Sequence, residues 1–248
     1  MSKQVIEFVD VNKYFGGLPV LNDISFRVSR GEVTCLLGPS GSGKTTVFNL
    51  AAGLLEPDSG RVEVRADYRK GFVFQEPRLL PWKTLEENIK FVQGNYLSPE
   101  RAEKVRERLF RLTRLTGARA KYPGELSGGM KQRLELIRAF SINPDLVLMD
   151  EPLRSLDTRT AYHLREMLLK FRREGELTYL LITHDPEAAA MMADKILVLS
   201  EGPAEIVKKY RVKTPRKERD LRRGEINRLI EDMINLFVEL VELSGGIA

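Results

Sequence analysis

A single cysteine, Cys35, stands among 248 residues, so no disulfide can form within the chain. It lies in the apolar run Val33 to Leu37, the setting of a buried structural thiol and not of a reactive one. No stretch approaches the roughly 18 uninterrupted apolar residues that a membrane span needs. The first ten residues, Met1 to Asp10, do not resemble a secretory signal, and a cytoplasmic chain is expected. Charge of one sign is also scarce outside one segment: the net charge is +5, but Lys208 to Arg223 holds nine Lys/Arg against two acids, which leaves −2 for everything else. The basicity is local, and it fits either a solvated connecting segment or a contact for anionic lipid or RNA. Of the two histidines, His163 falls in a presumed helix and reads as structural. What is present, 42% hydrophobic and 30% charged residues, is the balance of a soluble globular protein long enough to bury a full core.

Period-two alternation at Ile6 and Phe8, at Ile24, Phe26 and Val28, and at Val62 and Val64 predicts half-exposed antiparallel strands. Between Pro81 and Leu126 the pattern turns helical. Thr84 to Phe91 forms one helix, and Ser98-Pro99 supplies the cap and first turn of a second, with Ala102, Val105, Leu109 and Leu112 on one face. Four short apolar runs, Val33 to Leu37, Phe72 to Phe74, Leu146 to Met149 and Tyr179 to Ile182, are separated by helical segments and predict strands of a parallel sheet buried on both faces. A last segment from Glu225 carries Ile226, Leu229, Ile230, Met233, Phe237, Leu240 and Val241 at helical spacing, with Gly245 as its end. It either packs on the core or binds a partner helix.

The residues directly after each apolar run carry the chemistry. The first run leads into Gly38-Pro39-Ser40-Gly41-Ser42-Gly43-Lys44-Thr45, which matches GxxxxGK[ST] and precedes a helix, read from Val47 to Ala52. Glycines let the backbone turn tightly and aim its N–H groups inward, and the helix presents its positive dipole end to phosphate. Lys44 then neutralises terminal phosphates, and Thr45 has the hydroxyl that such loops use to hold Mg²⁺. The pattern predicts ATP or GTP. The second run leads to Gln75, the third to Asp150-Glu151 and the fourth to Thr183-His184-Asp185. Open α/β sheets bind ligands beyond the carboxyl ends of their strands, so the four segments should converge on one nucleotide. Asp150 suits a Mg²⁺ ligand, direct or through water, and Glu151 is placed to orient or deprotonate an attacking water. Leu126-Ser127-Gly128-Gly129-Met130 opens a further helix through Phe140, with Ser127 as its cap and Gly128 and Gly129 letting an anion approach the backbone. One nucleotide does not need two such helix ends unless two protomers share it.

These markers, with Ser155-Leu156-Asp157, stand in the order found in ABC transporter nucleotide-binding subunits, which the chain resembles up to about Val207. The resemblance implies an α/β fold: a P-loop (RecA-like), mostly parallel sheet core with an antiparallel β layer and a helical subdomain at about 79–135. It places the ATPase domain in 1–210 and leaves 211–248 as basic linker and amphipathic helix. It implies ATP and Mg²⁺ as ligands and a head-to-tail dimer, in which Ser127, Gly128 and Gly129 act in trans on the ATP held by the opposite phosphate loop, Gly38 to Thr46. By the same resemblance Gln75 contacts Mg²⁺ and senses the membrane partner, His184 holds the γ-phosphate, and Ser155 and Asp157 carry communication across the dimer. Phe15 is the aromatic that stacks on adenine, with Tyr14 as the alternative. Asp150, Thr45 and Gln75 are the metal-side residues, and Glu151, His184 and Gln75 the catalytic ones.

Leu79-Leu80-Pro81-Trp82-Lys83 after Gln75, and the Pro and basic segment around Thr214 to Lys217, are similar to the importer ATPases of nitrate, taurine, alkanesulfonate and thiamine-precursor systems. The implied protein is an ATPase on the cytoplasmic face of the inner membrane that drives a separate permease fed by an extracytoplasmic solute-binding protein, with no nucleic acid involved. Alternatives are an ABC-type ATPase acting on nucleic acid or translation, a non-hydrolysing regulatory module, and an exporter. Three departures from the family pattern stand out: a short Gly60 to Gly71 segment, Arg154 where a small residue is usual, and Leu134-Glu135-Leu136-Ile137 in place of an Ala-rich helix face.

Overall fold

The computed structural model describes residues 4–94, 96–154, 156–222 and 224–245, with side chains through 240. Up to residue 66 the elements are β1 (Gln4–Phe15), β2 (Leu18–Ser29), β3 (Val33–Leu37), α1 (Lys44–Ala52) and β4 (Ser59–Val64). The next are β5 (Lys70–Val73), α2 (Leu85–Gln93), α3 (Pro99–Leu112), α4 (Gly128–Phe140), β6 (Leu146–Asp150) and α5 (Thr158–Gly175). The last are β7 (Thr178–Thr183), α6 (Pro186–Met192), β8 (Lys195–Leu199), β9 (Ile206–Arg211) and α7 (Gly224–Gly245). They divide into two compact units, Met1–Ala66 with Thr178–Ala248, and Asp67–Leu177.

In the first unit the predicted alternation becomes an antiparallel sheet of order β2-β1-β4. Ile6 is paired with Val28 and Val64, and Phe8 with Phe26 and Val62. The Phe8 and Phe26 rings stack with centroids 4.5 Å apart. β3 has parallel partners on both sides, β7 and β8, and all five of its residues are buried, Cys35 among them. Its mostly apolar run, broken only by Thr34, is the signature of a strand covered on both faces. β8, Lys-Ile-Leu-Val-Leu, is a further strand of this kind and was not among the four predicted.

The basic run also resolves differently from a connecting segment. Its start, Lys208 to Arg211, belongs to β9, which closes this side of the sheet antiparallel to β8. Exposed lysines on such a strand discourage edge-to-edge pairing with another chain. Farther along, Arg219 is only 7% exposed: its guanidinium donates to the carbonyls of Ala190, Met191, Ala193 and Thr214. It therefore satisfies the otherwise orphaned C-terminal carbonyls of α6. α7 buries Ile226, Ile230 and Met233, and its Asp232 accepts from Lys208 and from the Tyr210 hydroxyl of β9. Leu229, Phe237 and Leu240 are half-buried; the Val241 side chain lies outside the described residues.

In the second unit β5 and β6 pair in parallel, with Phe72 opposite Leu148 and Val73 opposite Met149. α4 lies so close to β5 that a Cβ on Gly71 would meet the Ala139 carbonyl at 2.6 Å, which is why glycine stands there. α2 begins with a reciprocal Thr84–Glu87 capping box. α3 has Pro99 in its first turn after Ser98, as expected. Its buried stripe differs from the predicted one: Leu112 is 40% exposed, while Phe110 is fully buried beside Ala102 and Leu109. The stripe continues to Thr113, at i+11 from Ala102, so position 112 falls about 100° off its centre. Buried Gln93 ties the helices together by donating to the carbonyls of Ala102 and Ser141 and accepting from Arg106.

Candidate nucleotide-binding site

The residues singled out in the sequence fall in both units. Phe15, Gly38 to Thr46 and His184 belong to the first, and Gln75, Ser127 to Gly129, Asp150, Glu151 and Asp157 to the second. Ser155 lies outside the described residues.

In the first unit β3 and β7 run in parallel with Leu37 opposite Thr183, so the phosphate loop and His184 leave neighbouring strands at the same end. Gly41 and Gly43 have φ of 83° and 71°, the left-handed region in which only glycine is unstrained. α1 starts with neither a side-chain cap nor an acid in its first turn, so no carboxylate of its own competes for the positive end of its dipole. Lys44 is 8% exposed, and its ammonium donates to the carbonyls of Gly38 (2.9 Å) and Pro39 (2.5 Å) and to Ser42 Oγ (3.0 Å). The cation is folded onto its own loop, among oxygens. Thr45 and Ser40 are exposed, and Pro39 and Thr46 are half-buried. Phe15 and Tyr14 are about equally exposed, 46% and 45%, at the end of β1 before Gly16. Lys13 Nζ lies 5.6 Å from the Phe15 ring centroid.

In the second unit the register of β5 on β6 brings Gln75 and the Asp150-Glu151 pair out at the same end. Asp150 and Glu151 are 3% and 7% exposed. Glu151 has φ 50°, a left-handed conformation that costs a non-glycine residue about 1 kcal/mol or more and tends to occur at functional sites. Two bonds hold its turn: Arg154 N–H donates to the Glu151 carbonyl at 3.1 Å, and Gln132 of α4 donates to the Pro152 carbonyl at 3.3 Å. Ser127 caps α4 as expected, accepting from the Met130 N–H. Gly128 offers open space where a Cβ would stand, and buried Leu126 anchors the segment. Asp157 caps α5, and the Thr160 hydroxyl and N–H that it accepts from hold its carboxyl below the usual range. Arg154 is exposed.

Three of the groups that organise this unit are not evident from sequence. Asn88 of α2 is fully buried, accepts from the Leu80 N–H and donates to the Leu80, Lys83 and Thr84 carbonyls, which fixes the segment around exposed Trp82. Gln132 links α4 to the Glu151 turn. Glu135 and Arg138 of α4 form a buried ion pair beside the Gln75 loop; Glu135 was legible only as an acid on a face expected to be alanine-rich.

Residues 21–154 match the ABC transporter family, a span that contains the phosphate loop, the Gln75 loop, the capped glycines of α4 and the Asp150-Glu151 turn. The chain belongs to the ABC transporter family. Among its relatives within that family, the sulfate/thiosulfate import ATP-binding protein of Synechococcus elongatus is 41% identical over 81% of this chain and 61% of its own length. The chain thus matches about three-fifths of that relative. The aliphatic sulfonates import ATP-binding protein of Bacillus licheniformis is 39% identical over 79% of this chain and 78% of its own. The taurine import ATP-binding protein of Escherichia coli O157:H7 is 37% identical over 79% of each. Among solved structures, an ATP-binding subunit of an ABC transporter superposes with a TM-score of 0.80 at 27% identity, covering 93% of this chain and 99% of that one. A dimeric ATP-binding cassette in a post-hydrolysis state, bound to ADP and Pi, superposes with a TM-score of 0.76 at 28% identity, covering 85% and 100%. The family fold agrees with the expected one: a parallel sheet core, an antiparallel sheet and helices.

Proposed function

We propose that the chain is the ATP-binding and hydrolysing subunit of an importer, which powers uptake of a small solute of the sulfonate, taurine or nitrate type through a separate permease. What supports this reading is the order of the nucleotide motifs on a chain similar to import ATP-binding proteins for sulfate, sulfonates and taurine. The 79–135 segment is its helical subdomain, and the chain beyond 210 is an appended basic segment and helix.

The groups present suit ATP. Lys44 already holds three oxygens, and phosphate oxygens can take their place without leaving the ammonium unpaired. The N-terminal end of α1 binds the same phosphates. Thr45, Asp150 and Gln75 are the side chains that would hold Mg²⁺, a hard cation that prefers such oxygen ligands and neutralises phosphate charge. Glu151 accepts the proton of the attacking water. His184, at the end of β7, donates to the γ-phosphate. Phe15 supplies a face for adenine. Phosphoryl transfer asks mainly for positioning and charge stabilisation, which these groups provide. The N-terminus of α4, with Ser127, Gly128 and Gly129, serves the ATP of a second copy arranged head to tail, and Ser155 and Asp157 lie on that dimer face. The solute never touches this subunit.

The test is recovery of affinity-tagged Glu151→Gln protein from mildly solubilised native membranes in the presence of ATP, with partners identified by mass spectrometry. A multi-span permease among them supports the importer. Ribosomes or nucleic acid without a permease would replace it with an ATPase of another class.

A further inference from the structure

The β1–β2 hairpin turns at Gly16-Gly17, whose φ values of 56° and 84° are those of a two-residue type I′ turn, and Phe15 pairs with Leu18 directly before it. On its other side β1 pairs with β4 only as far as Asn12, opposite Ser59, so that ladder ends before Lys13, Tyr14 and Phe15. Asp58, the residue before β4, continues it with side-chain bonds. Its N–H donates to the Asn12 carbonyl at 3.0 Å, its Oδ2 accepts the Tyr14 N–H at 2.6 Å, and its Oδ1 accepts from Lys13 Nζ at 3.1 Å. Asn12 is fixed in turn: its amide donates to the Ser59 hydroxyl and the Asp10 carbonyl, and its oxygen accepts the Asp23 N–H. The Tyr14 N–H, and after it Lys13, holds the Asp58 carboxyl below the usual range. The carboxylate is thus ionised at neutral pH, and its bond to the backbone is charge-assisted. The Lys13 side chain is only 13% exposed, and its ammonium stands over the Phe15 ring, drawn by the negative face of the aromatic.

We infer that Asp58 is a positioning residue for the base of ATP: one carboxylate ties the Tyr14 backbone and the Lys13 ammonium to the start of β4, and so fixes the Phe15 ring with one face toward Lys13 and the other open to adenine. α1 leads from the phosphate loop to the segment that ends in Asp58, so the phosphate-side groups and the anchor of the ring lie on one continuous stretch, Gly38 to Asp58. This rests on the proposed stacking of adenine on Phe15; the tie itself does not.

The test compares Asp58→Ala, Asp58→Asn, Phe15→Ala and the Phe15→Ala/Asp58→Ala pair in the whole chain. Three quantities are read: amide hydrogen exchange at Tyr14, affinity for ATP, and affinity for inorganic tripolyphosphate, which offers phosphates without a base. In Asp58→Ala the Tyr14 amide should exchange about tenfold faster or more, and ATP should bind about fivefold more weakly while tripolyphosphate stays within about twofold. Phe15→Ala should weaken ATP about tenfold, the usual effect of losing one base–aromatic stack. Asp58→Asn keeps an oxygen for the Tyr14 N–H but not the charge that holds Lys13, and should fall between Asp58→Ala and the parent. Because Asp58 acts through Phe15, its loss should cost less than about twofold in ATP affinity once Phe15 is alanine. Unchanged exchange at Tyr14 in Asp58→Ala overturns the tie. If that variant does not fold, ATP affinity of Asp58→Asn equal to the parent's overturns the positioning role. Faster exchange with ATP affinity unchanged, where Phe15→Ala alone binds weakly, also overturns it, and so does an equal loss of ATP and tripolyphosphate. If Phe15→Ala binds ATP as the parent does, it is the reading of Phe15 that falls, and the exchange rate still judges the tie.

Discussion

Glu135 is the residue where ionisation and folding meet most directly. Burial, its largest influence, pushes its carboxyl above the ordinary range, and this outweighs the opposing pull of the Arg138 charge. A carboxyl whose folded pKa lies above its unfolded value binds protons more readily when folded. Its stabilising contribution is complete below the unfolded value, near 4.5, and is lost as pH rises through the raised folded one. Glu135→Gln removes that dependence. Urea unfolding of both proteins between about pH 5 and pH 8 should show the stability gap moving in favour of the glutamine variant as pH rises, and a constant gap would contradict the assignment. Glu151 illustrates a different economy: a non-glycine residue held at φ 50° directly after Asp150, in the turn that α4 braces through Gln132.

At the scale of elements, the phosphate loop and β3 were legible because a continuous apolar run, the glycines and the lysine occur together. β8 carries the same run of apolar residues but leads into no chemical motif, so nothing drew attention to Ile196 to Leu199. β9 was hidden by composition, since Lys208, Lys209 and Arg211 mask a strand whose pairing is decided by the backbone of β8. Leu112 was misplaced because hydrophobic spacing fixes a helix stripe to about one residue, and Phe110 with its larger ring claims the interior. Arg219 looked like one more cation in a solvated run, yet it is the cap of α6. Its removal leaves four carbonyls short of a charge-assisted donor. Arg219→Ala should lower the unfolding free energy by about 2–4 kcal/mol, readable from a urea midpoint at unchanged m-value, whereas Arg222→Ala, at an exposed position, should change it little. Equal effects of the two substitutions would refute the capping role.

For the whole molecule, the residues proposed for the nucleotide fall in both units: Gly38 to Thr46, Phe15 and His184 in one; Gln75, Asp150, Glu151 and the α4 start in the other. The order of these motifs along the chain could be read without coordinates, because each comes directly after a strand end and its chemistry needs specific residue types. The partners of Gln132 and Arg138 could not, because the Pro152 and Arg78 carbonyls are distant in sequence and only folding brings them near.

The most direct test of the central claim is ATP turnover by the parent and by Glu151→Gln, with light scattering of each in ATP and Mg²⁺. The account predicts that the parent hydrolyses ATP, while the variant binds it, loses turnover by about a hundredfold or more, and accumulates as a dimer. Equal turnover by the two proteins would contradict it.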